Sequence, residues 1–89
     1  MNIFDLFGGI AVALSSFTLL PQVMKGFKTK SVGDISWIFL FMVIIATIFW
    51  FIYGNYQNDW AIMLTNSIVF GLATILLVQK IIYSKPKSQ

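Results

Sequence analysis

An indole and a carboxamide, Trp50 and Asn66, lie inside long apolar runs of this chain. A carboxamide left without a partner in hydrocarbon is costly, so Asn66 must face protein or a wet cavity. Taken alone, it reads as a hydrogen-bonded bridge between helices, worth about 0.6 to 2 kcal/mol. Its neighbours point further. Asp59 and Asn66 are seven apart and share one helical stripe, while Phe39, Val43, Thr47, Trp50 and Tyr53 or Gly54 make another at 3- and 4-residue steps. Trp50 lies four residues before Gly54 and Asn66 six after Trp60, which puts each about 6 to 9 Å inside the same membrane boundary. A ring face and an amide at one level suit a sugar, whose C–H faces stack on the ring while its hydroxyls need donors and acceptors. The competing reading of Trp50 is packing or an interfacial anchor, although it lies deeper than the aromatic belt.

The stretch LLPQVMKGFKTK sets Pro21 and Gln22 just ahead of a basic segment. Proline removes the hydrogen bond that residue 21 would give to the carbonyl of Phe17 and is expected to bend the first helix toward its basic end. The freed carbonyl and Gln22 need partners, so this end should pack against protein. Such a proline is either a static kink or, beside a polar amide one turn from the boundary, a hinge that lets half of the helix swing.

Other chemistry is closed off. Cysteine and histidine are absent, which removes disulfides, thiolates, the usual zinc sites and a neutral-pH imidazole base. No nucleophile–base pair, metal-ligand cluster or Gly-rich phosphate loop is visible, so an enzyme, a metal site and a cofactor are not expected. No Glu, His, Lys or Arg lies in the apolar runs Ile3–Met24, Ile35–Gly54 and Trp60–Gln79, and Asp5 and Asp59 sit near one boundary, so a proton relay has nothing to run through.

The elements that must hold these residues follow from composition. With 89 residues, 58% of them hydrophobic and 10% charged, the chain carries more apolar side chain than a soluble core of this size can hide, since so short a chain buries only about 60% of its surface. The bilayer is its solvent. We expect one three-span membrane domain over 1–89, with spans at 3–26, 35–55 and 60–83, a basic loop at 25–34 and a short polar loop at 55–59. Each run is long enough to cross about 30 Å of hydrocarbon, and Asp34 and Asp59 stand where helix N-caps belong. Small residues in the first span (Gly8, Gly9, Ala11, Ala13, Ser15, Ser16, Thr18) and in the third (Ser67, Gly71, Ala73, Thr74) read mainly as close-packing positions.

All six lysines, Lys25, Lys28, Lys30, Lys80, Lys85 and Lys87, are expected in the first loop or the C-terminal tail, with Asp5 and Asp59 on the opposite side. The positive-inside rule then puts the N-terminus outside and the C-terminus in the cytoplasm of a cell that carries this multi-pass protein in its inner membrane. Tyr53, Tyr56 and Trp60 belong to the outer interface and Trp37 and Tyr83 to the inner one. The net charge of +3 is a topology signal and not a footprint for nucleic acid, which is not an expected partner. The first segment has no basic residue ahead of its apolar run and no small-x-small cleavage pattern, so it is expected to be retained.

Together, LLPQ near the end of a first span, a basic loop, DIS opening a second, W-x-x-YG closing it and D-x-x-x-x-x-x-N in the third resemble the SemiSWEET family, bacterial half-size relatives of SWEET sugar transporters within the PQ-loop group. The resemblance runs from about residue 5 to 82. It implies an all-α membrane fold, a three-transmembrane-helix bundle in the spatial order first, third, second, assembled as a parallel homodimer of six helices; SWEETs are a known case of parallel repeats about an axis along the membrane normal. By position, Trp50 and Asn66 resemble the sugar-binding pair, Pro21 and Gln22 the PQ hinge, Tyr53 with Asp59 part of an outer gate, and Phe39 a bulky inner-gate residue. One departure concerns Gln57, at a gate position that often holds arginine. No ionic latch to Asp59 can form through it, so the outer gate of Tyr53, Gln57 and Asp59 would close by neutral hydrogen bonds and ring packing.

A physical reason for two copies exists independently. Helices packed 8 to 10 Å apart leave no hole at the centre of a three-helix bundle. Two parallel copies bring two Trp50 and two Asn66 around one cavity walled by six helices. The expectation is facilitated, bidirectional diffusion of a mono- or disaccharide, glucose- or sucrose-like, by alternating access through the dimer interface. Two other readings remain: a small multidrug exporter, which would want four spans and a deep acidic residue, and an accessory membrane subunit whose polar residues only fix helix packing.

Overall fold

The computed structural model describes residues 2–32 and 35–83. The described chain is three helices, α1 (Ile3–Thr29), α2 (Trp37–Gln57) and α3 (Trp60–Tyr83). Each is long and apolar enough to cross a membrane, with mean hydropathy of 1.9, 2.3 and 2.2. Asp34, Lys85 and Lys87 lie outside the described residues.

Local sequence accounts for each helix end. Asn2 caps α1 in a capping box: its side chain accepts from the Asp5 amide at 3.0 Å while Asp5 Oδ2 accepts from the Asn2 amide at 3.4 Å. Helix α1 runs unbroken through Pro21 to Thr29, three residues past the expected boundary at 26. A proline withdraws only one hydrogen bond from its own turn, and the residues after it, QVMKGFKT, keep helical bonding until Lys30 turns left-handed at φ 56° and gives its N–H to Gly26 O. Lys25 and Lys28 therefore belong to a helix and not to a loop. Their charges stand at its C-terminal end, where the helix dipole favours cations. Lys80 likewise lies in the last turn of α3 and not in a tail.

At the start of α2 the capping side chain is Ser36, whose Oγ accepts from Phe39 N at 2.9 Å, and not the expected Asp34. Serine and aspartate both suit an N-cap, and the one closer to the apolar run holds the position. The other turn is tight. Asn58 takes a left-handed conformation at φ 56°, which asparagine tolerates better than most residues, and Asp59 N bonds back to Gly54 O at 2.9 Å. Asp59 then caps α3, its Oδ1 accepting from Ala61 N at 3.0 Å and Ile62 N at 3.2 Å.

Helix α3 packs against α2 and against α1, and among the described residues α1 and α2 do not pack against each other. The bundle is tight at the lysine-bearing end. Leu19, Val23 and Gly26 of α1, Val32, Leu40 of α2, and Ala73, Leu76 and Gln79 of α3 are buried there. Toward the end that carries Asp5 and Asp59, the buried residues of α2 are Thr47 and Gly54 alone.

Gln79 ties the tight end together. It is 2% exposed and donates Nε2 to the carbonyl of Val23 at 2.9 Å, across from α3 to α1. Gly26 makes the contact possible, because a Cβ there would come within 2.8 Å of Gln79 Cδ and 2.9 Å of Val32 Cγ1. Nearby, the Lys80 ammonium stands 5.0 Å from the Trp37 ring centroid and that of Lys30 5.8 Å from the Tyr83 ring, so both aromatics of this boundary carry a cation on their faces.

Candidate solute-binding groove

Two close approaches frame the looser half of the bundle. A Cβ on Gly8 would lie 3.0 Å from Ala61 Cβ, and one on Gly54 would lie 2.7 Å from Ile62 Cγ2. These glycines let α1 and α2 each come close to the first turn of α3. Below them, where α1 carries Ala11 and Ser15, the helices leave a groove of about 210 Å³. Trp50 enters it from α2, and α3 contributes Ala61, Ile62, Thr65 and Asn66.

The structure thus brings Trp50 and Asn66 to one groove, together with α1. The indole is 53% exposed and meets Tyr53 edge to face, with ring centroids 5.7 Å apart and planes at 88°. That geometry is the favourable one for an aromatic pair, and the exposure leaves indole surface uncovered. Asn66 is half-buried and donates Nδ2 to Ile62 O, 2.8 Å away on its own helix. One N–H and the carboxamide oxygen are left for a ligand. No charged side chain lines the groove, so its chemistry is that of a ring face with neutral donors and acceptors.

A second crevice, of about 270 Å³, lies between α2 and α3 and also reaches Asn66. Its other walls are mostly Ile48, Phe51, Ile52 and Phe70, and its Ser67 hydroxyl is spent on Met63 O at 2.8 Å. Such a lining matches an acyl chain, not a hydroxylated solute. Of these two, the groove shared by Trp50 and Asn66 is the one with chemistry for a polar molecule.

The remaining sequence-selected residues are spread along the bundle. Phe39 is exposed in the first turn of α2, about 16 Å along the helix from Trp50. Tyr53 and Gln57 are exposed near the other end of α2, and neither makes a side-chain hydrogen bond to the described residues. No side-chain hydrogen bond joins Tyr53, Gln57 and Asp59 to one another, and Asp59 Oδ1 is committed to the α3 cap. Pro21 is exposed and Gln22 half-buried, without a side-chain hydrogen bond to the described residues. At the acidic end, Trp60 Nε1 donates to Asp5 Oδ1 at 3.4 Å, tying the start of α3 to that of α1.

Sequence reasoning missed three positions. In sequence, Ser15 falls among the small packing residues of α1, Thr65 carries no signal of its own, and Gln79 closes an apolar run. For Gln79 a signal existed: an amide one turn inside a span boundary faces the same cost as Asn66.

The sequence matches the PQ loop repeat family over residues 3–63. It is similar to the Sugar transporter SemiSWEET of Leptospira biflexa serovar Patoc, 34% identical over 77 residues that make up 86% of this chain and 91% of that protein. A Sugar transporter SemiSWEET of Bradyrhizobium diazoefficiens is 31% identical over 78 residues, 88% of this chain and 91% of that protein. Among solved structures, one described as the crystal structure of a bacterial homologue of SWEET transporters matches with a TM-score of 0.88 and 33% identity, over 92% of this chain and 99% of that one.

Proposed function

Because the chain belongs to the PQ-loop family, among its SemiSWEET members, we propose that it is a sugar transporter that passes a mono- or disaccharide by facilitated, bidirectional diffusion. The observation that carries this reading is the groove itself: an exposed indole and a carboxamide with unspent valence meet at one depth, with no charged group beside them. A sugar ring stacks on the indole while its hydroxyls bond the amide. The names of the relatives point to the same class of solute.

The path lies between two copies. A groove bounded by three helices and open on one side is half of a cavity, and a parallel second copy supplies the other half. Contacts of α3 with both α1 and α2 support the spatial order α1, α3, α2. The 53% exposure of Trp50 inside a span supports a covering partner, since a lipid acyl chain gives an indole N–H no acceptor.

Alternating access then uses the two ends differently. Lysines mark the cytoplasmic side and Asp5 and Asp59 the outer side of an inner-membrane protein. Tyr53 and Gln57, with Asp59, close the outer end by ring packing and neutral hydrogen bonds, while Phe39 and the Pro21–Gln22 segment move at the inner end. In the structure the lysine-bearing end is the packed one.

Uptake into proteoliposomes, measured with labelled mono- and disaccharides, tests the proposal. Purified protein should equilibrate at least one of these sugars down its gradient. The rate at fixed sugar should ignore an imposed proton or sodium gradient, because no ionisable side chain lines the groove. A rate that follows the ion gradient rejects the uniport mechanism, and no uptake of any sugar rejects the function.

A further inference from the structure

Hydroxyl side chains at membrane depth ordinarily return their proton to a carbonyl of their own helix, since hydrocarbon offers no other acceptor. Ser16 does so to Val12 O at 2.7 Å, Thr18 to Leu14 O at 3.1 Å, Thr47 to Ile44 O at 2.7 Å and Ser67 to Met63 O at 2.8 Å. Ser15 and Thr65 do not. Neither has a hydrogen-bond partner among the described residues, although carbonyls of the preceding turn stand within one rotamer change of each. Thr74 shares this property but lines none of the crevices between the helices.

What sets Ser15 and Thr65 apart is place. Both line the groove that holds Trp50 and Asn66, Ser15 from α1 and Thr65 from α3, with the indole entering from α2. A hydroxyl donates one hydrogen bond and accepts up to two, so it can meet a sugar hydroxyl in either sense. The groove therefore combines an apolar ring face with two unspent hydroxyls and a half-spent amide, and it has no charge to attract an anion or a cation.

We propose that Ser15 and Thr65 are substrate-orienting, specificity-determining residues that bond ring hydroxyls of a pyranose and fix how it lies on the Trp50 indole. This rests on the reading of the groove as a sugar site. Trp50 supplies contact area that any pyranose face satisfies, whereas the hydroxyls on α1 and α3 recognise which ring positions carry oxygen. A site built to bond a substrate hydroxyl disfavours the analogue that lacks it, because its own polar groups are then left unpaired. Each neutral contact is worth about 3- to 10-fold in affinity.

The test is uptake kinetics in proteoliposomes for wild type, Ser15→Ala, Thr65→Val and the hydroxyl-retaining Thr65→Ser. The probes are labelled D-glucose, D-galactose and sucrose, each with its monodeoxy analogues. Thr65→Val keeps the branched shape of threonine and Ser15→Ala fits any helix, and detergent-purified protein eluting as wild type confirms assembly. The expected result is a KM about 3- to 10-fold higher for the parent sugar in each hydroxyl-deleting variant. That loss should vanish for the one deoxy analogue lacking the matching hydroxyl, and Thr65→Ser should restore the parent KM.

Wild-type kinetics in both deletion variants across all probes would overturn the assignment and leave sugar transport standing. An equal loss for parent and every deoxy analogue would also overturn it, as the mark of altered packing. Failure of wild type to carry any of the sugars would overturn the transport reading and this one together. Should Thr65→Val not assemble, Ser15→Ala and Thr65→Ala decide the matter by the same criteria.

Discussion

Trp50→Ala is expected to cut sugar uptake into proteoliposomes by about 30-fold or more while leaving the helices folded. Truncating a central aromatic anchor typically costs about 2 kcal/mol or more of binding, and each 1.4 kcal/mol is a factor of ten. Here the indole is the large apolar surface of the groove, the other walls being small (Ala11, Ser15, Ala61) or polar (Thr65, Asn66) apart from Ile62. Stability should change little, because the side chain is 53% exposed within the protomer. Trp50→Phe should fall between the two, since a smaller ring keeps part of the stacking area. Initial uptake rates with matched protein levels read the effect. An alanine variant that transports at the wild-type rate but no longer elutes as an assembled dimer would reassign Trp50 to assembly and remove it from the site.

Gly54→Ala is the second large effect, and it acts through the scaffold. The added Cβ would stand 2.7 Å from Ile62 Cγ2, 3.0 Å from Ile62 Cβ and 3.2 Å from Met63 Cγ. A rotamer change can move the first and third of these, but Ile62 Cβ is fixed to the α3 backbone, so α2 and α3 must separate. Overpacking of this kind costs about 1 to 3 kcal/mol, and Gly54→Leu should cost more. The displacement falls where it matters, because Ile62 also lines the groove and Trp50 lies one turn from Gly54. Both a lower unfolding temperature in detergent and weaker uptake are expected. Gly9→Ala is the control: a Cβ at Gly9 meets nothing within 4 Å, and alanine is the better helix former by about 1 kcal/mol. Equal unfolding temperatures for wild type and Gly54→Ala would mean that the α2–α3 contact is softer than the structure has it.

Much of this arrangement is legible in the amino-acid order, for identifiable reasons. A span long enough for a bilayer leaves a signal that no soluble helix of this size shares, so the three helices follow from apolar length alone. Asp59 stands out as a cap because it directly precedes such a run, and it does cap α3. Trp50 and Asn66 come to one depth because helical rise is constant, so counting residues from the boundary places both.

What was not legible depends on contacts between helices. The apolar count stops α1 near its first lysines, yet helical bonding continues to Thr29 because a charged residue ends hydrocarbon and not a helix. Ser36 and Asp34 both carry cap chemistry, and sequence gives no rule for choosing between them in a run of four residues. In sequence Lys80 reads as a tail charge, but it is 5% exposed, with its ammonium over the Trp37 ring, because its long aliphatic stem packs while the head finds an aromatic face. Ser15 and Thr65 differ from Ser16, Thr18 and Ser67 only in where their hydroxyls go, and no periodicity in sequence reports that.

The claim that the sugar path lies between two copies, each giving its Trp50 and Asn66 to one cavity, can be tested by mixing. Wild-type and Trp50→Ala chains carrying different tags are co-expressed in graded ratios, reconstituted together, and assayed for initial uptake at constant total protein. A path shared by two subunits predicts a curve that sags below the straight line, reaching roughly a quarter of wild-type uptake at equal mixing, because only pairs with two indoles are intact. Uptake that falls in direct proportion to the wild-type fraction would mean that each chain carries sugar by itself, and would contradict the account.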